Sequence, residues 1–195
     1  EVNVAPHNFY GHLSTLMSAH FCAAILNFRI MEIDIDDVPW KDELITVPPA
    51  INDGCLVVPD GPGFYFTDLG KVRYYDQDRG RVFYARADGS RIEALIHPLE
   101  MPNGIGLSPD GKTLYVAETP TARLWAFDIL LPGKIARHPW PSPHGGRFIA
   151  GSATYQRFDS LAVEANGNIC VATLVNGGIS VISDRKSTRL NSSHV

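Results

Sequence analysis

The sequence predicts an all-β chain forming part of a β-propeller. Three observations carry that prediction: a strand–turn–strand segment that recurs three times, a spacing of 50 and then 56 residues between its turn glycines Gly61, Gly111 and Gly167, and a composition rich in turn formers. Seventeen glycines and 14 prolines in 195 residues punctuate short strands better than they suit a helical bundle. Four strands per period of this length match one propeller blade. A β-sandwich gives turns every 8–12 residues but no long-range self-similarity.

The first 27 residues carry no clear pattern and are left unassigned; a short helix there is as compatible with the composition as a degraded blade. Phe28–Ile35 alternates apolar and polar and reads as a late strand of an earlier blade. Leu56–Asp68 is the first full hairpin, turning at Asp60-Gly61. Gly80–Ile96 follows as a second hairpin about Asp88-Gly89. Gly106–Glu118 repeats the first pattern about Asp110-Gly111, and Ala122–Ile129 leads to a turn at Pro132-Gly133. Leu161–Thr173 repeats it again about Asn166-Gly167, and Gly177–Ser183 starts one more strand. Asp-Gly and Asn-Gly are strong hairpin signals because these residues accept positive φ. The reading is a partial propeller over 28–183, about three to four blades of four antiparallel strands. From Asp184 the alternation stops, and 184–195 reads as a non-native or disordered tail resembling translated adaptor sequence.

Composition narrows the function classes. Apolar residues make 45% of the chain, enough for a core, and the net charge of −4 argues against a partner with a phosphate backbone. No apolar run reaches the ~20 residues of a membrane span. Cys22, Cys55 and Cys170 are odd in number and far apart, so neither a disulfide framework nor a zinc knuckle is expected, and a reducing, cytoplasmic setting is the default. The seven histidines show no metal-site spacing; His138 and His144 flank the Pro-rich stretch 139–143 and are expected to be solvated on a loop between blades. Trp125 and Tyr115 fall on alternating strands and read as blade packing, and Cys170 as a small core residue.

Pro102–Thr119, with Pro-Asn-Gly at its start, resembles the signature stretch of the gluconolactonase, regucalcin and luciferin-regenerating-enzyme family. Asn52-Asp53 with Gly63–Asp68 resembles the preceding blade of that family, and Phe158-Asp-Ser-Leu-Ala-Val163 with Gly167–Thr173 the following one. The resemblance implies a six-bladed propeller with one divalent metal, calcium before magnesium, manganese or zinc, in a metal-dependent hydrolase that opens a sugar lactone. By position it implies that Asn103 and Asp159 are metal ligands, Asp159 also the general base, Asn52 a substrate contact at the mouth, and Asp53 and Ser160 further oxygen donors. The family's N-terminal Glu ligand has no counterpart here, and Ala50 stands where an Arg often precedes the mouth Asn. A non-catalytic calcium- or ligand-binding propeller is the alternative function.

Each assignment has a structural competitor. Asn103 before Gly104 suits a left-handed turn. Asp159 and Ser160 suit a cap before the strand at Leu161. Asp53 suits a turn into Cys55. Asp60, Asp110 and Asn166 are read as turn residues alone.

Overall fold

A computed structural model of the chain describes residues 2–8, 11–33, 49–58, 63–86 and 90–184. They form two compact units: one takes the residues up to Phe64 together with 85–93, the other takes Tyr65–Tyr84 and the chain from Ala94 onward.

In the first unit, β1 (His7–Asn8) is followed by α1 (His12–Ala24) and β2 (Glu32–Ile33). β1 and β2 pair in parallel, His7 opposite Glu32 and Asn8 opposite Ile33. Parallel neighbours need a crossover, and α1 supplies it. The helix starts at Gly11 with no side-chain cap and no acidic residue in its first turn. A helix of 13 residues with such ends depends on packing; Thr15, Ala19 and Cys22 form its buried stripe. The alternating segment from Phe28 is thus not a meander strand of a blade where it is described; Asp34 and Ile35 lie outside the described residues. β3 (Ile51–Asn52) and β4 (Cys55–Leu56) form a hairpin with Asn52 opposite Cys55. Its turn residues Asp53 and Gly54 have φ of 49° and 74°, the pair of left-handed conformations that matches strand twist in a two-residue hairpin.

Three stacked antiparallel sheets account for most of the second unit. The first has the order β5 (Phe64–Asp68), β6 (Gly80–Ala85), β7 (Ile92–Leu99). The second contains β8 (Pro102–Leu107), β9 (Thr113–Glu118), β10 (Arg123–Leu131), β11 (Lys134–Ile135) and β12 (Arg147–Gly151). β11 and β12 both pair with β10, so together they make a divided fourth strand. The third runs β13 (Phe158–Val163), β14 (Asn168–Thr173), β15 (Gly178–Ser183). Among the described residues only the middle sheet reaches the expected four-strand width. The turns at Asp60 and Asp88 lie outside the described residues. Asp110 and Asn166 brace their turns, Asp110 accepting from Ser108 Oγ and Lys112 N and Asn166 from Asn168 N.

Strand pattern explains the stacking. In β9 Leu114 and Val116 pack with Val82, Ile96 and Leu99 of the first sheet, while Tyr115 and Ala117 pack with Phe158, Ile169 and Val171 of the third. β10 divides likewise, Trp125 and Phe127 one way, Leu124 and Ala126 the other. A sheet covered on both faces reads as a continuous apolar run, as Leu-Tyr-Val-Ala does. Each fully buried Leu, Val or Phe here contributes ~1.5–3 kcal/mol. β14 alternates instead, because among the described residues only one of its faces is well covered.

The turn between β13 and β14 is one residue shorter than that between β8 and β9, Val163 pairing Ile169 where Leu107 pairs Leu114. Leu124 and Ala126 therefore correspond to Ile179 and Val181. The first pair is 0% and 1% exposed, the second 71% and 62%.

Two sequence expectations change. Asp184 belongs to the fold: its carboxylate accepts both Arg147 Nη atoms, at 2.8 and 3.1 Å, and the Tyr115 hydroxyl at 2.9 Å. Burial, then this hydrogen bond, pushes the Tyr115 hydroxyl up to about 12. Residues 185–195 lie outside the described residues. His144 is not a solvated loop residue; it is 6% exposed, its ring edge-on to Trp125 at 4.4 Å, within a loop that divides the outer strand of one sheet. His138 stays partly exposed beside Asp128.

His144 Nδ1 accepts from Gly146 N, so the neutral ring carries its proton on Nε2, which is buried without a hydrogen-bond partner. Burial holds its pKa below the ordinary value; Arg137 adds to the depression and Glu118 opposes it. Unfolded His144 therefore binds a proton more readily than folded His144, and its contribution to stability is complete above about pH 6.5 and shrinks as pH falls. Urea midpoints should drop between pH 7.5 and 5, and His144→Phe should flatten that drop. An unchanged slope in the variant would contradict the assignment.

Candidate functional site

The first strands of the second and third sheets share one irregularity. Pro102 pairs Glu118 and Ile105 pairs Val116, three steps on β8 against two on β9. Phe158 pairs Thr173 and Leu161 pairs Val171, again three against two. Each strand thus holds a β-bulge, at Asn103–Gly104 and at Asp159–Ser160. A bulge adds an unpaired residue and re-aims its side chain.

The two bulges bring their side chains together. Asn103 Nδ2 donates to Asp159 Oδ1 at 2.5 Å, both residues half-buried. The Asn103 carbonyl accepts from Thr67 Oγ1 of the first sheet at 2.7 Å, so Asn103 is tied to both neighbouring sheets. Asn103 is extended, and the left-handed residue nearby is Met101 with φ 47°, so the turn alternative for Asn103 does not hold. Asp159 lies inside β13 with its carboxylate on Asn103, not capping a turn.

Ser160 follows Asp159 in the bulge and is exposed. Asn52 and Asp53 belong to the first unit: Asn52 ends β3, and Asp53 holds the first left-handed position of the β3–β4 turn. That turn gives Asp53 a structural task. A cavity of about 630 Å³ in the same unit is lined mainly by apolar groups, among them Cys22, Phe28, Met31, Ile51 and Leu56. Neither Asn52 nor Asp53 lines it.

Among the described residues no three His, Cys, Asp or Glu gather into a cluster able to hold a metal. The donor set the second unit does present is one carboxylate and one carboxamide. Oxygen donors of this kind suit a hard cation such as Ca²⁺, Mg²⁺ or Mn²⁺. Zn²⁺ sites draw mostly on His or Cys, and neither stands at these positions.

Sequence reasoning missed Glu118. Its carboxylate is 2% exposed and accepts three hydrogen bonds, from Glu100 N at 2.7 Å, Thr121 Oγ1 at 2.8 Å and Trp125 Nε1 at 3.0 Å. Its place just after an apolar run was the available signal. Through Glu100 it secures the chain two residues before β8, and so the approach to Asn103.

Residues 40–191 match the family described as SMP-30/Gluconolactonase/LRE-like region. Residues 1–66 match a second, described as Enolase C-terminal domain-like. Among curated proteins, the chain is 32% identical over 126 residues to the lactonase drp35 of Staphylococcus saprophyticus, covering 64% of this chain and 36% of the relative. It is 32% identical over 130 residues to that of Staphylococcus epidermidis, covering 67% and 38%. The chain thus spans well under half the length of these relatives. Among solved structures, a calcium-binding protein, regucalcin, from Agrobacterium tumefaciens aligns with a TM-score of 0.52 at 18% identity, over 63% of this chain and 39% of that one. That likeness supports the propeller fold of the stacked sheets. No helix among the described residues is long and apolar enough to cross a membrane.

Proposed function

Because the chain belongs to the SMP-30/gluconolactonase/LRE-like family, we propose that it is the partial propeller of a metal-dependent hydrolase that opens a sugar lactone. The observation that carries this reading is the meeting of Asn103 and Asp159 on two matched bulges. The lactonase names of the relatives support the substrate class.

Asn103 and Asp159 would hold the cation, calcium being the first choice, with Ser160 as a further oxygen donor. In the described structure the Asn103 carboxamide turns its nitrogen to Asp159; a half-turn about its last torsion exchanges nitrogen for oxygen. A bound divalent cation supplies Lewis-acid stabilisation of the negative charge that grows on a lactone carbonyl oxygen. The Asp159 carboxylate accepts the proton of the attacking water, general-base help worth ~10²–10⁴ in rate. Asn103 contributes a neutral oxygen, which leaves more positive charge for the substrate than a second carboxylate would.

The test is a panel of aldonolactones assayed before and after chelation. Hydrolysis of gluconolactone should vanish with chelator and return with Ca²⁺, Mg²⁺ or Mn²⁺. Activity that survives exhaustive chelation would remove the metal from the reading. Calcium binding without turnover of any lactone would favour the non-catalytic propeller.

A further inference from the structure

The gap between the two bulges has a physical cause in β8. Gly104 lies against β13 so closely that a Cβ there would stand 2.5 Å from the Asp159 carbonyl oxygen, 2.7 Å from Leu161 N and 2.6 Å from Leu161 Cβ. Two of these three are backbone atoms, which no rotamer change can move aside. Two residues on, a Cβ at Gly106 would meet only side-chain ends, Leu161 Cδ2 at 2.7 Å and Val163 Cγ2 at 3.1 Å. The strands therefore meet at backbone atoms at residue 104 and only at movable side-chain ends at residue 106.

We propose that Gly104 is a positioning residue for the cation site, whose missing side chain sets the separation of Asn103 from Asp159. This deepens the reading above and rests on it for the cation. Real Cβ atoms essentially never lie under 3.0 Å from such neighbours. Any side chain at 104 must therefore push β13 away at the very residue whose carboxylate meets Asn103. The neighbouring contacts keep the shift local: Thr67 Oγ1 holds the Asn103 carbonyl, and the hydrophobic packing of Tyr115, Ala117, Ile169 and Val171 holds the sheets together farther along. The third sheet has Ser160, an exposed residue, at the equivalent bulge position.

The probes are Ca²⁺ titrated calorimetrically and the Asn103 side-chain amide followed by nuclear magnetic resonance without metal. Gly104→Ala should weaken Ca²⁺ binding by about tenfold or more, the usual scale for disturbing the support of a metal ligand, and shift the Asn103 amide toward its position in Asp159→Ala. Gly106→Ala should leave both readouts near wild type. Asp159→Glu, which keeps the charge but lengthens the arm, should also lose about tenfold, because the gap is sized for aspartate; this variant tests the spacing if Gly104→Ala does not fold. Wild-type affinity in Gly104→Ala or in Asp159→Glu, or equal losses at 104 and 106, would overturn the proposal. If wild type binds no Ca²⁺, the cation reading fails, and the amide shift alone decides whether Gly104 sets the gap.

Discussion

Asp159→Ala is expected to abolish lactone hydrolysis while leaving the β-rich circular dichroism unchanged. Two losses combine in that variant. The proton acceptor disappears, which alone is worth ~10²–10⁴ in rate, and the one anionic donor of the Asn103–Asp159 pair disappears with it. The fold should tolerate the change, because the side chain is half-buried and is not part of either hydrophobic cluster. Leaving Asn103 Nδ2 without its acceptor costs about 1–3 kcal/mol, less where water can replace it. Asp159→Asn separates the two roles: it keeps an oxygen donor but cannot take a proton, so Ca²⁺ affinity should fall less than turnover does. Unchanged turnover in Asp159→Ala would reject this residue as base and as ligand together.

The largest expected loss of stability belongs to Glu118→Ala. Truncation strands three donors at once, and the Trp125 indole N–H, buried with Phe127 and His144 around it, is the one water reaches least easily. A cost of about 3 kcal/mol follows for leaving such groups unsatisfied, a large share of the total stability of an ordinary domain. Urea or thermal unfolding measures it directly. Glu118→Gln should cost less, since its one remaining oxygen can serve one or two of the donors. A midpoint for Glu118→Ala equal to that of wild type would show that the three hydrogen bonds contribute nothing net.

The stacked sheets were readable because their repeat is written locally. The Asp110-Gly111 and Asn166-Gly167 turns, the fully apolar run in β9 and the alternating β14 each report on burial within a few residues. The N-terminal segment shows where such reading stops. Alternation from Phe28 reports that one face of a strand is covered, but not whether its neighbour runs parallel or antiparallel, and the parallel partner β1 lies 25 residues upstream across α1. His144 escaped for a related reason. Its burial comes from Trp125 and Phe127 on another strand, while the prolines around it suggest an exposed loop. At the candidate site the positions 103 and 159 were legible from motif resemblance, but the two bulges were not. A one-residue excess shows only when the facing strand is counted as well.

Those bulges also separate the fate of the sheets from the fate of the chemistry. Removal of a single codon from the 103–104 or the 159–160 pair would restore one-to-one pairing along the hairpin, and the ladder would close without a gap. The surviving side chain would then follow the ordinary up-and-down order of its strand and lose the orientation the extra residue gave it. Inheritance can therefore separate this pair by the smallest in-frame loss while the architecture persists, and descendants of such an event would still be recognised by shape long after the two side chains had parted.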